Sequence, residues 1–290
     1  MNLKQIDENL EEGESLKAIT QAYSEIANLK IKRIRAEVER NRVFFQEIKN
    51  IYALVKDLSV KKKINMAPKP KKTVSIILTS NYRFYGSINS DLIKYFVSST
   101  QKLDTDRIMV NKAAIDYFKA QPIFKNYQEV ILKGDQPDTE ELLSLVNLVK
   151  NYKQVLVFYS SMKSLLNQAP TVANITASGP ENNPALFSNS SSLEENKPGL
   201  NANFKFIFEP ELSKILEFFD SQIITLLLEG TFLESELSRT ASRFISMDQA
   251  ETSANKFIKE YQTLRAYVKR NMDNNAILEN FASMMAVRPI

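Results

Sequence analysis

The fold is decided by residues 211–268, which read ELSKILEFFDSQIITLLLEGTFLESELSRTASRFISMDQAETSANKFIKEYQTLRAYV. From Glu211 to Arg288 there is no Pro and a single Gly, Gly230. Small or apolar residues recur there at steps of three or four, which is the spacing of one face of an α-helix. They are Leu212, Ile215, Phe219, Ile223, Leu226, Gly230, Leu233, Leu237, Ala241, Phe244, Met247, Ala250, Ala254, Phe257, Tyr261, Leu264 and Val268. The pattern predicts one continuous helix, roughly 110 Å long at about 1.5 Å per residue.

A second helical pattern occupies residues 1–60, where we expect a helix from about residue 15 to about residue 58. Its apolar positions are Leu16, Ile19, Tyr23, Ile26, Ile34, Val38, Phe45, Ile48, Tyr52 and Val55. The long C-terminal stripe cannot be buried unless another long helix lies beside it. We therefore expect an antiparallel two-helix coiled coil built from both ends of the chain, with the longer C-terminal helix projecting beyond the pair.

Between the two helices the hydrophobic period changes. Four short apolar or β-branched runs predict strands at Thr73–Thr79, Arg107–Val110, Glu129–Leu132 and Gln154–Tyr159. Helical patterns separate these runs, at residues 89–100, up to Tyr117 and at residues 139–149. Strands that alternate with helices predict a small inserted α/β domain with a mainly parallel sheet.

The sequence thus divides into five segments. Residues 1–60 form the N-terminal coiled-coil helix, residues 61–72 a linker rich in Lys and Pro, and residues 73–175 the α/β domain. Residues 176–203 are rich in Ser, Asn and Pro and predict a flexible insertion loop. Residues 204–290 form the C-terminal coiled-coil helix.

The composition excludes most kinds of catalytic and metal site. The chain contains no His, no Cys and no Trp, so Ser-His-Asp and Cys-His catalysis are ruled out and zinc and haem lose their usual ligands. It has only six Gly, and neither G-x-x-x-x-G-K-[ST] nor G-x-G-x-x-G occurs. We expect no catalytic residue, no metal and no cofactor.

Charge and hydropathy indicate the partners and the compartment. The formal net charge of +4 is too small to indicate nucleic acid as a partner. The first twenty residues are polar and acidic, so we expect no signal peptide. The longest apolar patch, Ile223–Leu228, is interrupted by Thr225, so the chain is not expected to span a membrane.

Several segments resemble the gamma subunit of rotary ATP synthases, the central shaft of the catalytic head. Residues 19–30, ITQAYSEIANLK, resemble the family's I-T-x-A-M-x-x-V-A-x-x-K segment. Residues 78–89, LTSNYRFYGSIN, are similar to its T-S-D-R-G-L-C-G-G-F-N loop, and residues 206–210, FIFEP, to its Y-x-F-E-P segment. The most specific match is LESELSRTASRFISMDQA at residues 233–250, which resembles L-E-S-x-x-S-E-x-x-A-R-M-x-A-M-D-x-A. Arg270 and Asn271 can be placed on the family's Arg-Gln pair.

The chain departs from the family pattern in its loop and at two other places. Asn81, Tyr82, Arg83 and Ser87 stand where the family loop has Asp, Arg, Gly and Gly, and Tyr23 stands where the family has Met. The terminal G-G-A corresponds to SMMA at residues 283–286. The two lost glycines imply a different backbone or a bulkier contact surface. These changes are typical of a divergent paralogue or of a fast-evolving lineage.

The resemblance implies a non-catalytic rotor. Its shaft would stand inside a hexameric ring of alpha- and beta-like ATPase subunits, with an epsilon-like subunit and a membrane ring at its foot. The complex would be cytoplasmic and peripheral to the inner face of the cell membrane. Because the shaft is asymmetric, each catalytic site would meet a different face of it, so ATP hydrolysis would turn the shaft and synthesis would run in reverse.

The resemblance also implies which surfaces meet the partners. Contacts to the head are expected at Tyr23, Lys30, Arg33, Arg243, Arg270 and Asn271. A loop contact is expected at Asn81, Tyr82 and Arg83. The C-terminal tip is rich in Met, which adapts to irregular surfaces, and is expected to form a hydrophobic bearing through Phe281, Met284 and Met285.

Three alternatives remain open from the sequence. The shaft could belong to a specialised ATPase motor that is not coupled to proton transport, for example in gliding machinery. The chain could be a coiled-coil scaffold without ATPase partners. It could also be an enzyme that uses the α/β domain, although the missing glycines and histidines argue against this.

Overall fold

A computed structural model describes residues 2–61, 72–176, 209 and 211–286. The predicted linker at residues 61–72 and the predicted insertion at residues 176–203 fall almost wholly outside the described residues. Residues 204–208, at the start of the predicted C-terminal segment, also lie outside them.

Two long helices flank the other elements in the chain order. They are α1 (Leu3–Lys61) and α5 (Leu212–Ala286). Between them the chain forms β1 (Thr73–Leu78), α2 (Ile88–Thr100), β2 (Asp106–Val110), α3 (Lys112–Ala120), β3 (Gln128–Val130), α4 (Thr139–Val149), β4 (Gln154–Ser164) and β5 (Asn167–Asn174). Within the described ranges, no helix is both long and apolar enough to cross a membrane.

The residues group into two compact units. One unit combines Met1–Asn28 with Arg243–Ile290, and here α1 and α5 run antiparallel. Nε of Arg265 lies 2.6 Å from Oδ1 of Asp7, and Nε2 of Gln21 donates to Oε1 of Glu251 over 2.7 Å. The order of these partners is reversed along the two helices, as the antiparallel prediction requires.

The seam of this unit uses α1 residues at steps of seven, three of which are small. On α1 the buried positions are Ile6, Gly13, Thr20 and Ala27. A Cβ placed on Gly13 would lie 3.0 Å from Cδ1 of Phe257, so glycine allows the two helices to approach closely. A step of seven equals 3.5 residues per turn, the period of a left-handed coiled coil.

This seam corrects two expectations for α1. The helix begins at Leu3 rather than near residue 15. The predicted stripe of Leu16, Ile19, Tyr23 and Ile26 is not the seam, because these side chains are 37–57% exposed. The prediction chose these four residues because they are more hydrophobic than the small residues that make the helix contact.

The second unit, Leu29–Ser242, contains the sheet. Its strand order is β3-β2-β1-β4-β5, with β1 parallel to β2 and β4, β2 parallel to β3, and β5 antiparallel to β4. The mainly parallel α/β sheet is therefore confirmed. The sequence analysis missed β5, whose polar sequence NQAPTVAN includes a Pro and lacks a strand pattern.

Each face of the sheet packs against helices because β1 alternates its side chains. Val74, Ile76 and Leu78 join a core that also includes residues of α1, α4 and α5. Ile77 points the other way, into an aromatic cluster with α2 and α3 that centres on Phe96.

In this second unit, as in the first, α1 and α5 are antiparallel. Oη of Tyr52 donates to Oδ1 of Asp220 over 2.8 Å, and Lys30 pairs with Glu236.

One segment of α5 is covered on every side. All ten residues from Thr231 to Thr240 are buried, including two Glu and one Arg. A surface helix buries one stripe, whereas this segment reads TFLESELSRT and buries both its polar and its apolar residues. Buried charges require partners, so the surroundings of this segment define the candidate site.

Candidate functional site

The site lies at the carboxyl edge of the parallel strands. The chain passes from β1 to β2 and β3 on one side, and then returns to place β4 on the other side of β1. Such a point, where the strand order reverses, is where open α/β sheets bind their ligands. In this chain the edge is filled by protein side chains.

Asn111, which follows β2 and is fully buried, ties three loops together. Its backbone has φ 72° and ψ 165°, a conformation that is nearly exclusive to glycine. Its Nδ2 donates to the carbonyl oxygen of Thr79 over 3.1 Å. Its Oδ1 accepts from the amide of Leu132 at 3.0 Å and from Nδ2 of Asn81 at 3.2 Å. These bonds offset the strain of the Asn111 backbone.

Asp135, in the connection between β3 and α4, holds the loop that follows β1. Its carboxylate is buried, and Oδ1 accepts from the backbone amide of Asn81 at 2.7 Å. Oδ2 accepts from the hydroxyl of Tyr85 at 2.5 Å. The backbone of Tyr85 is fixed in turn, because Oγ of Ser242 on α5 donates to its carbonyl oxygen over 2.8 Å.

Arg239 of α5 enters this edge and is only 1% exposed. Nη1 donates to Oγ of Ser235 over 2.8 Å and to the carbonyl oxygen of Thr79 over 3.4 Å. Nη2 donates to Oε2 of Glu236 over 3.0 Å and to the carbonyl oxygen of Asp135 over 3.3 Å. One guanidinium thus connects α5 with the end of β1 and with the loop after β3.

Glu236 is the counter-charge of this guanidinium and also receives the ammonium of Lys30 from α1. Its side chain is fully buried, and burial by itself would raise its pKa. Arg239 and Lys30 outweigh the burial and hold the pKa of Glu236 below its ordinary value. The carboxylate is therefore charged at neutral pH and joins α1 to α5 and to the sheet edge.

Glu234 lies two residues away and behaves in the opposite manner. Burial raises the pKa of Glu234, although Oγ of Ser161 donates to it over 2.9 Å and the hydroxyl of Tyr159 over 3.2 Å. Burial likewise raises the pKa of Tyr159. Glu234 thus links α5 to β4 by neutral donors, whereas Glu236 is held by two cations.

The variant Glu234→Gln is expected to flatten part of the pH dependence of stability. A carboxyl whose folded pKa is raised stabilises the protein below its unfolded pKa, and this contribution is lost as the pH rises through the folded value. The difference in unfolding free energy should therefore shift in favour of the variant as the pH rises above about 4, the ordinary pKa of a Glu carboxyl. Urea unfolding at several pH values measures it, with the exposed Glu217→Gln as control. A difference that stays constant with pH would contradict the prediction.

The structure places the predicted head-contact residues at the surface or near it. Tyr23 is 37% exposed, and Arg270 and Asn271 are exposed. Arg33 is exposed and lies 3.0 Å from Glu37, one turn further along α1. Arg243 is half-buried.

Lys30 differs from these, because it pairs with a fully buried carboxylate of the other long helix, that of Glu236, while 41% of its own side chain stays exposed. The predicted loop residues separate into two groups. Asn81 faces inward, where Nδ2 donates to the carbonyl oxygens of Leu132 and Gly134 over 2.8 and 2.9 Å. Tyr82 and Arg83 are exposed, and Phe84 beside them has φ 67°.

The tip residues Phe281, Met284 and Met285 are 65%, 74% and 62% exposed. From Lys269 to Met285 every side chain is exposed. This end of α5 therefore buries none of its residues against the rest of its unit.

The sequence analysis missed four residues of the site: Asn111, Asp135, Glu236 and Arg239. One signal was available for Arg239, since the L-E-S-x-x-S-E segment has Glu where this chain has Arg. Such a charge reversal at a helix position indicates a changed partner. Across the described part of the chain, no cluster of three or more Asp or Glu is arranged to hold a metal ion.

Known proteins of one family are similar to this chain over most of its length. A family model described as ATP synthase matches residues 2–273. The chain is 21% identical over 272 residues to the ATP synthase gamma chain of Staphylococcus saprophyticus, covering 89% of this chain and 90% of that protein. It is 23% identical over 274 residues to the ATP synthase gamma chain of Psychrobacter arcticus, covering 90% of each.

Solved structures show the same fold. One similar chain belongs to the central stalk and c-ring of the Tetrahymena thermophila mitochondrial ATP synthase, with a TM-score of 0.57 and 18% identity, covering 80% of this chain and 99% of that chain. Another belongs to the Euglena gracilis mitochondrial ATP synthase, with a TM-score of 0.51 and 15% identity, covering 88% and 94%.

Proposed function

This chain belongs to the ATP synthase gamma family and is a central rotor shaft, and we propose that it works as a non-catalytic subunit that couples ATP turnover in a hexameric head to rotation. The observation that carries this proposal is the extent of the match. It runs from residue 2 to residue 273 and so includes both long helices and the α/β domain. A scaffold that shared only a helix pair would not match through the sheet as well.

The proposed partners follow from the family. The shaft stands inside a ring of alpha- and beta-like ATPase subunits, and an epsilon-like subunit and a membrane ring lie at its foot. The complex is peripheral to the inner face of the cell membrane and takes part in proton transport. A specialised motor, as in gliding machinery, would use the same shaft without the membrane ring.

The exposed face of α1 supports contact with the head. Leu16, Ile19 and Ile26 are 51%, 53% and 57% exposed, and with Tyr23 they follow steps of three and four. The seam of α1 lies on another face and consists mostly of small residues, so this more apolar face is not the one that packs within the unit. A helix face of this spacing is suited to contact helices of a surrounding ring. Lys30 and Arg33 add cations for carboxylates on that ring.

The loop and the tip complete the proposed contact surfaces. Tyr82 and Arg83 lie on a loop that is anchored by the inward-facing Asn81, so they can meet the moving parts of the ring without loss of loop order. Phe281, Met284 and Met285 form an apolar tip that turns in the opening of the ring as a bearing.

Reversing the charge of two arginines tests the head contacts. An Arg side chain on a shaft can bind carboxylates of the ring with two parallel hydrogen bonds, and Glu would repel them. The double variant Arg243→Glu with Arg270→Glu is expected to slow ATP hydrolysis by the assembled complex by about tenfold, the effect of losing about 1.4 kcal/mol of coupling. Turnover of the reconstituted complex measures this.

The matched control is Lys256→Glu with Lys259→Glu, which makes the same charge change at two exposed positions of α5. Circular dichroism should show that both double variants keep their helices. Equal turnover in the test and the control variant would refute the assignment of Arg243 and Arg270 to the head contact.

A further inference from the structure

The contact between α5 and the sheet edge combines two kinds of interaction. Apolar residues such as Phe232 pack against the core, and this packing has no preferred direction. Hydrogen bonds depend on both distance and angle, so they resist turning of a helix about its own axis. The polar bonds therefore add a directional constraint on rotation of α5 against the α/β domain.

Arg239 bonds to two separate loops of the α/β domain, whereas Glu234 bonds to β4 and Ser242 to the loop after β1. Its guanidinium reaches the carbonyl oxygens of Thr79 and Asp135, which belong to two different loops of the α/β domain. The same group is held from its own helix by Glu236 and Ser235. A planar guanidinium with fixed donor directions cannot keep all four partners if α5 rotates.

We infer that Arg239 is the positioning residue through which torque passes between α5 and the α/β domain, an inference that rests on the rotor role proposed above. The edge of the sheet at which related folds take a ligand here takes the shaft helix of the same chain. Glu236 extends the connection to α1 through Lys30, so both helices and the sheet are tied at one buried point.

Two variants separate this role from simple stability. Arg239→Met keeps an unbranched apolar stem like that of Arg and removes every donor. Arg239→Lys keeps a charge beside Glu236, but its single nitrogen cannot span both carbonyl oxygens in the way the guanidinium does. A purely structural role predicts that Lys restores both folding and torque, whereas torque transfer by the guanidinium predicts that Lys restores folding only.

The experiment attaches a bead to the α/β domain of the assembled complex. The chain has no Cys, so Leu166→Cys provides a unique attachment point at an exposed residue between β4 and β5. ATP turnover and bead rotation under viscous load are then measured together. We expect Arg239→Met and Arg239→Lys to keep turnover within about twofold while loaded rotation slows about fivefold.

The control is Thr231→Val, which is isosteric and removes a buried hydrogen bond within α5, from Oγ1 of Thr231 to the carbonyl oxygen of Leu228. It should leave loaded rotation unchanged. The inference would be overturned if Arg239→Met rotated the loaded bead as fast as the parental complex does, or if Arg239→Lys restored the full rate of rotation.

A parental complex that hydrolyses ATP without rotating the bead would contradict the proposed function instead. Hydrogen exchange in the isolated full-length chain then tests the role of Arg239 independently of rotation. Amide hydrogen exchange at Asn81 and at residues 134–136 should accelerate about tenfold in Arg239→Met while α3 stays protected. Unchanged exchange at those amides would show that Arg239 does not hold the loops.

Discussion

Replacing Glu236 with Ala will lower the free energy of unfolding by about 3–5 kcal/mol, because it leaves a buried guanidinium without its counter-charge. Arg239 is 1% exposed and cannot turn to water, whereas Lys30 keeps 41% of its side chain exposed and can. The cost therefore arises mainly at Arg239. Urea denaturation of the full chain measures it, and the exposed Glu217→Ala should change stability by about 0.5 kcal/mol or less.

A double variant tests the cause of that loss. Glu236→Met with Arg239→Met removes both charges and fills their space with apolar atoms, so it should be more stable than Glu236→Ala alone. A double variant less stable than the single one would mean that the hydrogen bonds to Thr79 and Asp135 matter more than the unpaired charge. A loss below about 1 kcal/mol in Glu236→Ala would contradict the buried pairing itself.

The pairing of Glu236 with Arg239 makes the protein less stable at acid pH. The pKa of Glu236 is held below its ordinary value, so its contribution is present above the unfolded carboxyl pKa and is lost as the pH falls through the folded value. Glu234 makes the opposite contribution, since its pKa is raised. Two carboxyls on one turn of α5 thus favour folding in different pH ranges.

Asn111→Ala is expected to be the second most damaging change, costing about 3 kcal/mol or more from strain and lost hydrogen bonds together. Ala would be forced into the left-handed backbone conformation at φ 72°, and the side chain that binds Thr79, Leu132 and Asn81 would be gone. Unfolding by urea measures the total.

Asn111→Gly separates the two causes, because Gly adopts this conformation without strain but makes none of the bonds. It should be less destabilised than Asn111→Ala by about 1–3 kcal/mol. Equal losses in the two variants would show that the backbone strain inferred at Asn111 has no energetic consequence.

The sequence predicted the elements better than it predicted their contacts. The α5 stripe was read correctly because its small and apolar residues keep one spacing over 57 residues, and all but Phe257 of the named positions are buried or half-buried. The prediction for the first half of α1 was wrong because the face that packs against α5 carries mostly small residues, whereas the more apolar face is exposed. Periodicity identifies a face but does not say which of two faces meets the partner helix.

The candidate site was beyond sequence reasoning for a different reason. Arg239 reaches Thr79 and Asp135, which lie 160 and 104 residues away in the chain. No local pattern marks such bonds, and a buried Arg on a helix looks like a solvated one until the fold is known. The departure at Arg239 from the family's Glu was the only trace of it in the sequence.

The most direct test of the rotor role is the native mass of the complex that purifies with the affinity-tagged chain. The rotor assignment predicts one copy of this chain with three copies each of two ATPase-sized subunits. A membrane ring in the same complex would identify a synthase, and its absence a specialised motor. Recovery of the chain alone, or as a homodimer without ATPase subunits, would contradict the rotor assignment.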